Sequence, residues 1–133
     1  MISRRSMLVT AVSCIAASAP ALAKSKRSSP IDALDTDKDG TVDLNEAKKA
    51  ASDLFDRLDR DHEGTLDKRE LAGRLSAKEL ATADPDHDGT LTKDEYLAVV
   101  EQRFNAANPD KDGTLDAKEL RSRGGKALLR LLK

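Results

Sequence analysis

The sequence predicts an all-α fold: a compact helical bundle built on four acidic loops, with shared helices and short β-bridges between paired loops. Three observations carry this reading. One twelve-residue pattern occurs four times, at 35–46, 59–70, 84–95 and 108–119, with starts 24, 25 and 24 residues apart. Apolar residues recur at fixed places around every copy. Only 12 or 13 residues separate successive copies, room for one helix and little else.

The repeat is an oxygen-rich cage. Each copy follows D-x-D-x-D-G-x5-E closely, the calcium-loop pattern of the EF hand. A hard cation needs six or more oxygens around it. Such a loop offers side-chain oxygen at positions one, three, five and nine, a carbonyl at seven and a bidentate Glu at twelve. The first loop supplies Asp35, Asp37, Asp39, the Thr41 carbonyl, Asp43 and Glu46. The second supplies Asp59, Asp61, Glu63, the Thr65 carbonyl, Asp67 and Glu70. The third supplies Asp84, Asp86, Asp88, the Thr90 carbonyl, Thr92 and Glu95. The fourth supplies Asn108, Asp110, Asp112, the Thr114 carbonyl, Asp116 and Glu119. Position six is Gly40, Gly64, Gly89 and Gly113, where the chain must turn with positive φ.

Of the 24 carboxylates in the chain, 18 fall on these ligand positions. A merely solvated acidic surface would scatter them. Without a cation such crowded like charges repel. His62 and His87 both occupy position four, whose side chain points away from the ion, so they are read as exposed and uninvolved in metal binding.

The framework around the loops is apolar. Four residues ahead of each loop stand Ile31, Phe55, Leu80 and Phe104; position eight is Val42, Leu66, Leu91 and Leu115; after the closing Glu come Ala47, Leu71, Tyr96 and Leu120. Residues 46–58 and 95–107 each read as one continuous helix leaving one loop and entering the next. Residues 68–83 are expected to break near Gly73 and restart at the capping-box string Ser76-Ala77-Lys78-Glu79. Residues 126–133 read as a short leucine-rich helix after Gly124-Gly125, packed on the bundle.

The 133 residues hold one small domain, 31–133, preceded by a leader. Arg4 and Arg5, the apolar stretch Met7 to Ala19 and the Ala21-Leu22-Ala23 cleavage string form a signal peptide over 1–23, of the general or twin-arginine export type. That stretch is too short and interrupted for a membrane span. Cys14, the single cysteine, leaves with the leader, so no disulfide or thiolate site is expected. Residues 24–30 read as a flexible linker.

Without Arg4 and Arg5 the chain carries 21 basic and 24 acidic side chains and three aromatic ones, Phe55, Tyr96 and Phe104. So little large apolar surface predicts a chain that depends on its metal ions to fold firmly. No basic patch suited to nucleic acid accompanies the loops, and no nucleophile motif, so a binding protein is expected rather than an enzyme. A calmodulin-like sensor needs a Met-rich groove, and Met1 and Met7 both lie in the leader.

Which cation is favoured depends on charge. A trivalent ion gains about 1.5-fold more Coulomb attraction than a divalent one of equal size. Its dehydration costs about 2.25-fold more on a Born estimate. It therefore wins only at unusual anionic density, toward which loops with four or five ligand carboxylates lean. Calcium stays open on composition alone.

The mature chain also resembles the lanmodulins, exported bacterial EF-hand proteins that bind lanthanides. The resemblance rests on four closely spaced loops, Asp43, Asp67 and Asp116 at position nine, Pro85 and Pro109 at position two, and Asn108 opening the fourth loop. It implies a soluble periplasmic protein that compacts on binding lanthanide(III) ions, lanthanum to samarium, in preference to Ca2+. It further implies loops paired at the centre of the bundle, first ligands Asp35, Asp59 and Asp84 at the stronger sites, and a role in lanthanide uptake or trafficking with an unidentified delivery partner. Thr36 and Arg60 at position two, Glu63 at position five and Thr92 at position nine depart from the family pattern. Asn108 removes one charge, so the fourth site is expected to be the weakest or among the weakest.

Overall fold

A computed structural model of the chain describes residues 29–133. The expected signal peptide, Cys14 and the linker as far as Ser28 lie outside the described residues. In chain order the elements are α1 (Pro30–Leu34), β1 (Val42–Asp43), α2 (Leu44–Leu58), β2 (Thr65–Leu66), α3 (Ala77–Ala83), β3 (Leu91–Thr92), α4 (Lys93–Ala107), β4 (Thr114–Leu115), α5 (Ala117–Arg121) and α6 (Arg123–Leu129). None of these helices is long and apolar enough to cross a membrane.

Local chemistry explains where the helices start. Ser29 accepts from the Asp32 amide while its own amide donates to Asp32, and Pro30 takes the first turn, where its missing N–H costs nothing. The last linker position, Pro30, thus belongs to α1, and Ser29 caps it. The long helices α2 and α4 run from one acidic loop into the next, as the short spacing requires. Residues after Glu70 make only a turn, which Ala72 and Gly73 end with φ of 49° and 77°. The chain restarts at α3 behind the reciprocal Ser76–Glu79 cap.

The closing helix differs from expectation. α6 begins at Arg123 and contains Gly124 and Gly125, while residues 130–132 form a turn. The reason is close packing. A Cβ on Gly125 would sit 2.2 Å from the Glu119 carbonyl oxygen and 2.5 Å from Leu120 Cα, so only glycine lets α6 lie against α5.

Two minimal antiparallel bridges join the loops in a nested order: β1 pairs with β4 and β2 with β3. Val42 faces Leu115 and Leu66 faces Leu91, so position eight always opposes position eight. All four of these residues are completely buried. Ile31, Phe55, Leu80 and Phe104 join them from the entering helices, and Ala47, Leu71, Tyr96 and Leu120 from the exit sides. At the centre Phe55 of α2 meets Tyr96 of α4 edge to face, with ring centroids 5.8 Å apart. Leu128, Leu131 and Leu132 close the core from the α6 end.

Gly125→Ala gives a sign test of this packing. Helix propensity alone favours alanine by about 1 kcal/mol, whereas overpacking against Glu119 and Leu120 costs about 1–3 kcal/mol. Net destabilisation in chemical denaturation is expected, with a smaller loss for Gly124→Ala, whose nearest contact would be 3.0 Å. Stabilisation by Gly125→Ala would contradict the packing.

Candidate metal centre

Each acidic loop is held open by its own backbone. Position six has φ of 88°, 83°, 83° and 90° at Gly40, Gly64, Gly89 and Gly113. Position four is left-handed as well, at Lys38, His62, His87 and Lys111, with φ between 57° and 63°. Two such turns close together aim successive amides inward, at the position-one side chain. Asp35 accepts from the amides of Lys38 (2.6 Å), Asp39 (3.2 Å) and Gly40 (2.9 Å). Asp59 accepts from Glu63 and Gly64, and Asp84 from Asp88 and Gly89. His62 and His87 are exposed and stand in none of the metal-sized groups of ligand atoms.

The carboxylates converge in three loops. Asp35, Asp37 and Asp39 each place an oxygen within 4.8 Å of the others; so do Asp59, Asp61 and Glu70, and Asp84, Asp86 and Glu95. Crowding splits their acidities. Lost hydration opposes ionisation of Asp35 and Asp59, but amides led by Gly40 and Gly64 outweigh it and hold both below the ordinary value of 3.8. Asp84 is lowered chiefly by a hydrogen bond with Asp86, against burial and with help from Gly89. The position-three partners move the other way. The Asp39 and Glu63 amides pull Asp37 and Asp61 down, yet lost hydration and the neighbouring acids raise them overall. Asp86 is raised by its bond to Asp84 and by burial. Neighbouring carboxylates this close favour a shared proton or a cation between them.

The other ligand positions divide by task. The position-nine side chains of Asp43, Asp67, Thr92 and Asp116 accept from the amides of Glu46, Glu70, Glu95 and Glu119, and each glutamate's Oε2 accepts in return from the position-nine amide. Position nine is therefore a helix cap as well as a candidate ligand. The D/T-x-x-E spacing carried that signal in the sequence. The second oxygen of the closing Glu is treated differently in different loops. Thr36 donates to Glu46 Oε1 at 2.6 Å and Arg60 to Glu70 Oε1 at 3.0 Å. Pro85 and Pro109 have no N–H to give. Glu119 Oε1 is buried without a hydrogen-bond partner among the described residues. A buried carboxylate oxygen in that condition is costly unless something positive reaches it, which fits a cation at this loop.

Several expected ligands stand outside the three compact groups. Glu46, which accepts from Thr36, is one; Asp43, Glu63, Asp67 and Asp88 are others. Asp39, Asp88 and Asp112 each accept from the amide and hydroxyl of the following Thr41, Thr90 or Thr114. Thr65 and Thr114 lie in the bridges themselves, Thr65 of β2 opposite Thr92 and Thr114 of β4 opposite Asp43. In the fourth loop the acids Asp110, Asp112, Asp116 and Glu119 make no group of three carboxylates of this kind, since the position-one member that each other group contains is here the amide Asn108. Asn108 Oδ1 accepts from Lys111 at 3.0 Å, but its amide nitrogen cannot accept from Gly113 as the second oxygen of Asp35, Asp59 and Asp84 does from its glycine.

The EF-hand family model matches residues 31–49 and 52–72, the segments around the first two loops. No curated protein matches the chain. The match, the helical architecture and the three acidic groups support the EF-hand superfamily and, with it, binding of a divalent or trivalent metal ion.

Asn108→Asp restores the missing acceptor and one charge. A hydrogen bond to a charged group contributes about 1.5–3 kcal/mol, so the fourth site should tighten roughly tenfold or more in a competition titration. An unchanged fourth site would count against this account of its weakness.

Proposed function

We propose that this chain is a lanthanide-binding protein of the periplasm that uses all four acidic loops as EF-hand sites, folds on metal binding and serves lanthanide uptake or trafficking. The observation that carries the reading is anionic density: 18 of 24 carboxylates occupy ligand positions. Charge converging at that density leaves a surplus that a trivalent ion offsets better than a divalent one. The resemblance to lanmodulins supports the same choice of ion. The chain acts by binding rather than catalysis, since its acidic groups are absorbed by ligation and no nucleophile stands with them. The leader-like residues 1–23 support export, with metal ions as the cargo and a delivery protein receiving them.

In this reading Asp35, Asp59 and Asp84 are the first ligands, because hydrogen bonds favour their charged form before any metal arrives, chiefly from Asp86 at Asp84 and from loop amides led by Gly40 and Gly64 at the other two. The partners Asp37, Asp61 and Asp86, whose ionisation the neighbouring acids oppose, are relieved of that repulsion when a cation arrives. Binding free energy then appears as folding free energy, because the repulsion that loosens the metal-free chain is removed.

A calcium buffer is the second reading, favoured by the fourth loop, whose Asn108 lowers the charge. One experiment separates the two. Far-UV circular dichroism during titration with lanthanum should show a large helical gain at low free metal, while calcium requires a far higher concentration. Equal responses to the two ions would end the lanthanide reading and leave the calcium one.

A further inference from the structure

One segment touches the exit sides of three loops. At its start α6 wedges into the crotch of the fourth helix–loop–helix unit. Gly124 lies against the backbone of Ala106 and Ala107, just ahead of Asn108, and Gly125 against Glu119 and Leu120, on the exit side. At its far end the segment is tied by its carbonyls. Arg103 donates to Ala127 O at 2.7 Å, buried Tyr96 to Leu131 O at 2.8 Å, and Arg74 to Lys133 O through Nε at 3.2 Å and Nη2 at 2.9 Å. Tyr96 directly follows Glu95, the closing acid of the third loop, and Arg74 lies one turn beyond Glu70, the closing acid of the second. Leu128, Leu131 and Leu132 anchor the segment in the core between these ends.

We propose that residues 123–133 form a coupling strap that transmits the filling of one loop to another. The inference rests on the metal-binding reading above and adds a route to it. A cation engages the closing Glu, and that pull shifts the exit side of its loop relative to the entering helix. The strap packs on the residue after the closing acid in loops three and four and is hydrogen-bonded just beyond it in loop two. A shift at one exit is therefore felt at the others through a body of buried leucines that does not deform easily. Neighbouring loops have other links: α2 joins loops one and two, α4 joins three and four, and the bridges join one with four and two with three. Loops two and four share neither a helix nor a bridge. Any other route between them runs through loop one or loop three, so coupling that is lost when the Arg74 tie is cut is the signature of the strap.

The test is a thermodynamic cycle read at single sites. Amide resonances of Gly64 and Gly113 report loops two and four while free lanthanum is set by a chelator buffer. In the full chain Glu70→Gln disables loop two and is expected to raise the lanthanum concentration that half-shifts Gly113 by about tenfold, the weight of one or two hydrogen bonds. In an Arg74→Gln background, where the tie to Lys133 is cut and every ligand is kept, the same change should move Gly113 less than about twofold. Tyr96→Phe, which keeps the ring packed and removes only the bond to Leu131, should shrink the effect in the same direction and decides the matter if Arg74→Gln folds poorly. An equal shift of Gly113 in all backgrounds, or none in the parent, overturns the strap while leaving metal binding intact. A parent chain whose glycine resonances respond to neither lanthanum nor calcium overturns the metal-binding reading itself, and the strap with it.

Discussion

Like charges brought together at the loop mouths are the constraint around which the molecule is organised. Three or more carboxylate oxygens within 4.8 Å of one another repel, and the backbone counters the repulsion by turning amides inward. The left-handed residues at positions four and six exist for that purpose, since only such turns present several N–H groups to one side chain. The result is unequal acids. In the first three loops the charged form is favoured at position one and opposed at position three, and a cation resolves both conditions at once.

The same constraint shapes the core. Because the loops take the polar work, the apolar residues are left to fixed positions on either side of them. Position eight forms a buried strip across both bridges, and the residues ahead of and behind each loop fill the space beneath. Shared helices shorten the architecture. An exit helix that is also the next entrance buries two loops' worth of apolar contacts with a single set of side chains, so few aromatics suffice. The surface pairs Lys48–Glu101 and Lys93–Asp56 join α2 to α4 but, being half exposed, contribute only about 0–1 kcal/mol each.

Much of this was legible in the sequence, and what was not had a physical reason. Ile31, Phe55, Val42, Leu66 and their repeats announce the core because burial recurs with the loop period. The long helices α2 and α4 follow from spacing alone, and the break at Gly73 from a glycine ahead of a capping box. The nested pairing of β1 with β4 and β2 with β3 has no local signature, since all four position-eight residues are interchangeable aliphatics. The placement of Gly124 and Gly125 inside α6 was hidden too. As isolated residues they read as helix breakers, and only contact with α4 and α5 shows why they are tolerated. Hydrogen bonds from Thr36 and Arg60 to the closing glutamates span ten residues, beyond the reach of any short pattern.

In the proposed function these oxygen cages hold more negative charge than a divalent ion satisfies. Native mass measurement of the purified protein, after equilibration with trace lanthanum in a large excess of calcium, tests it most directly. A chain carrying lanthanum in several loops, with the fourth filled last, is the expected result. A chain carrying calcium alone, or no metal, would contradict it.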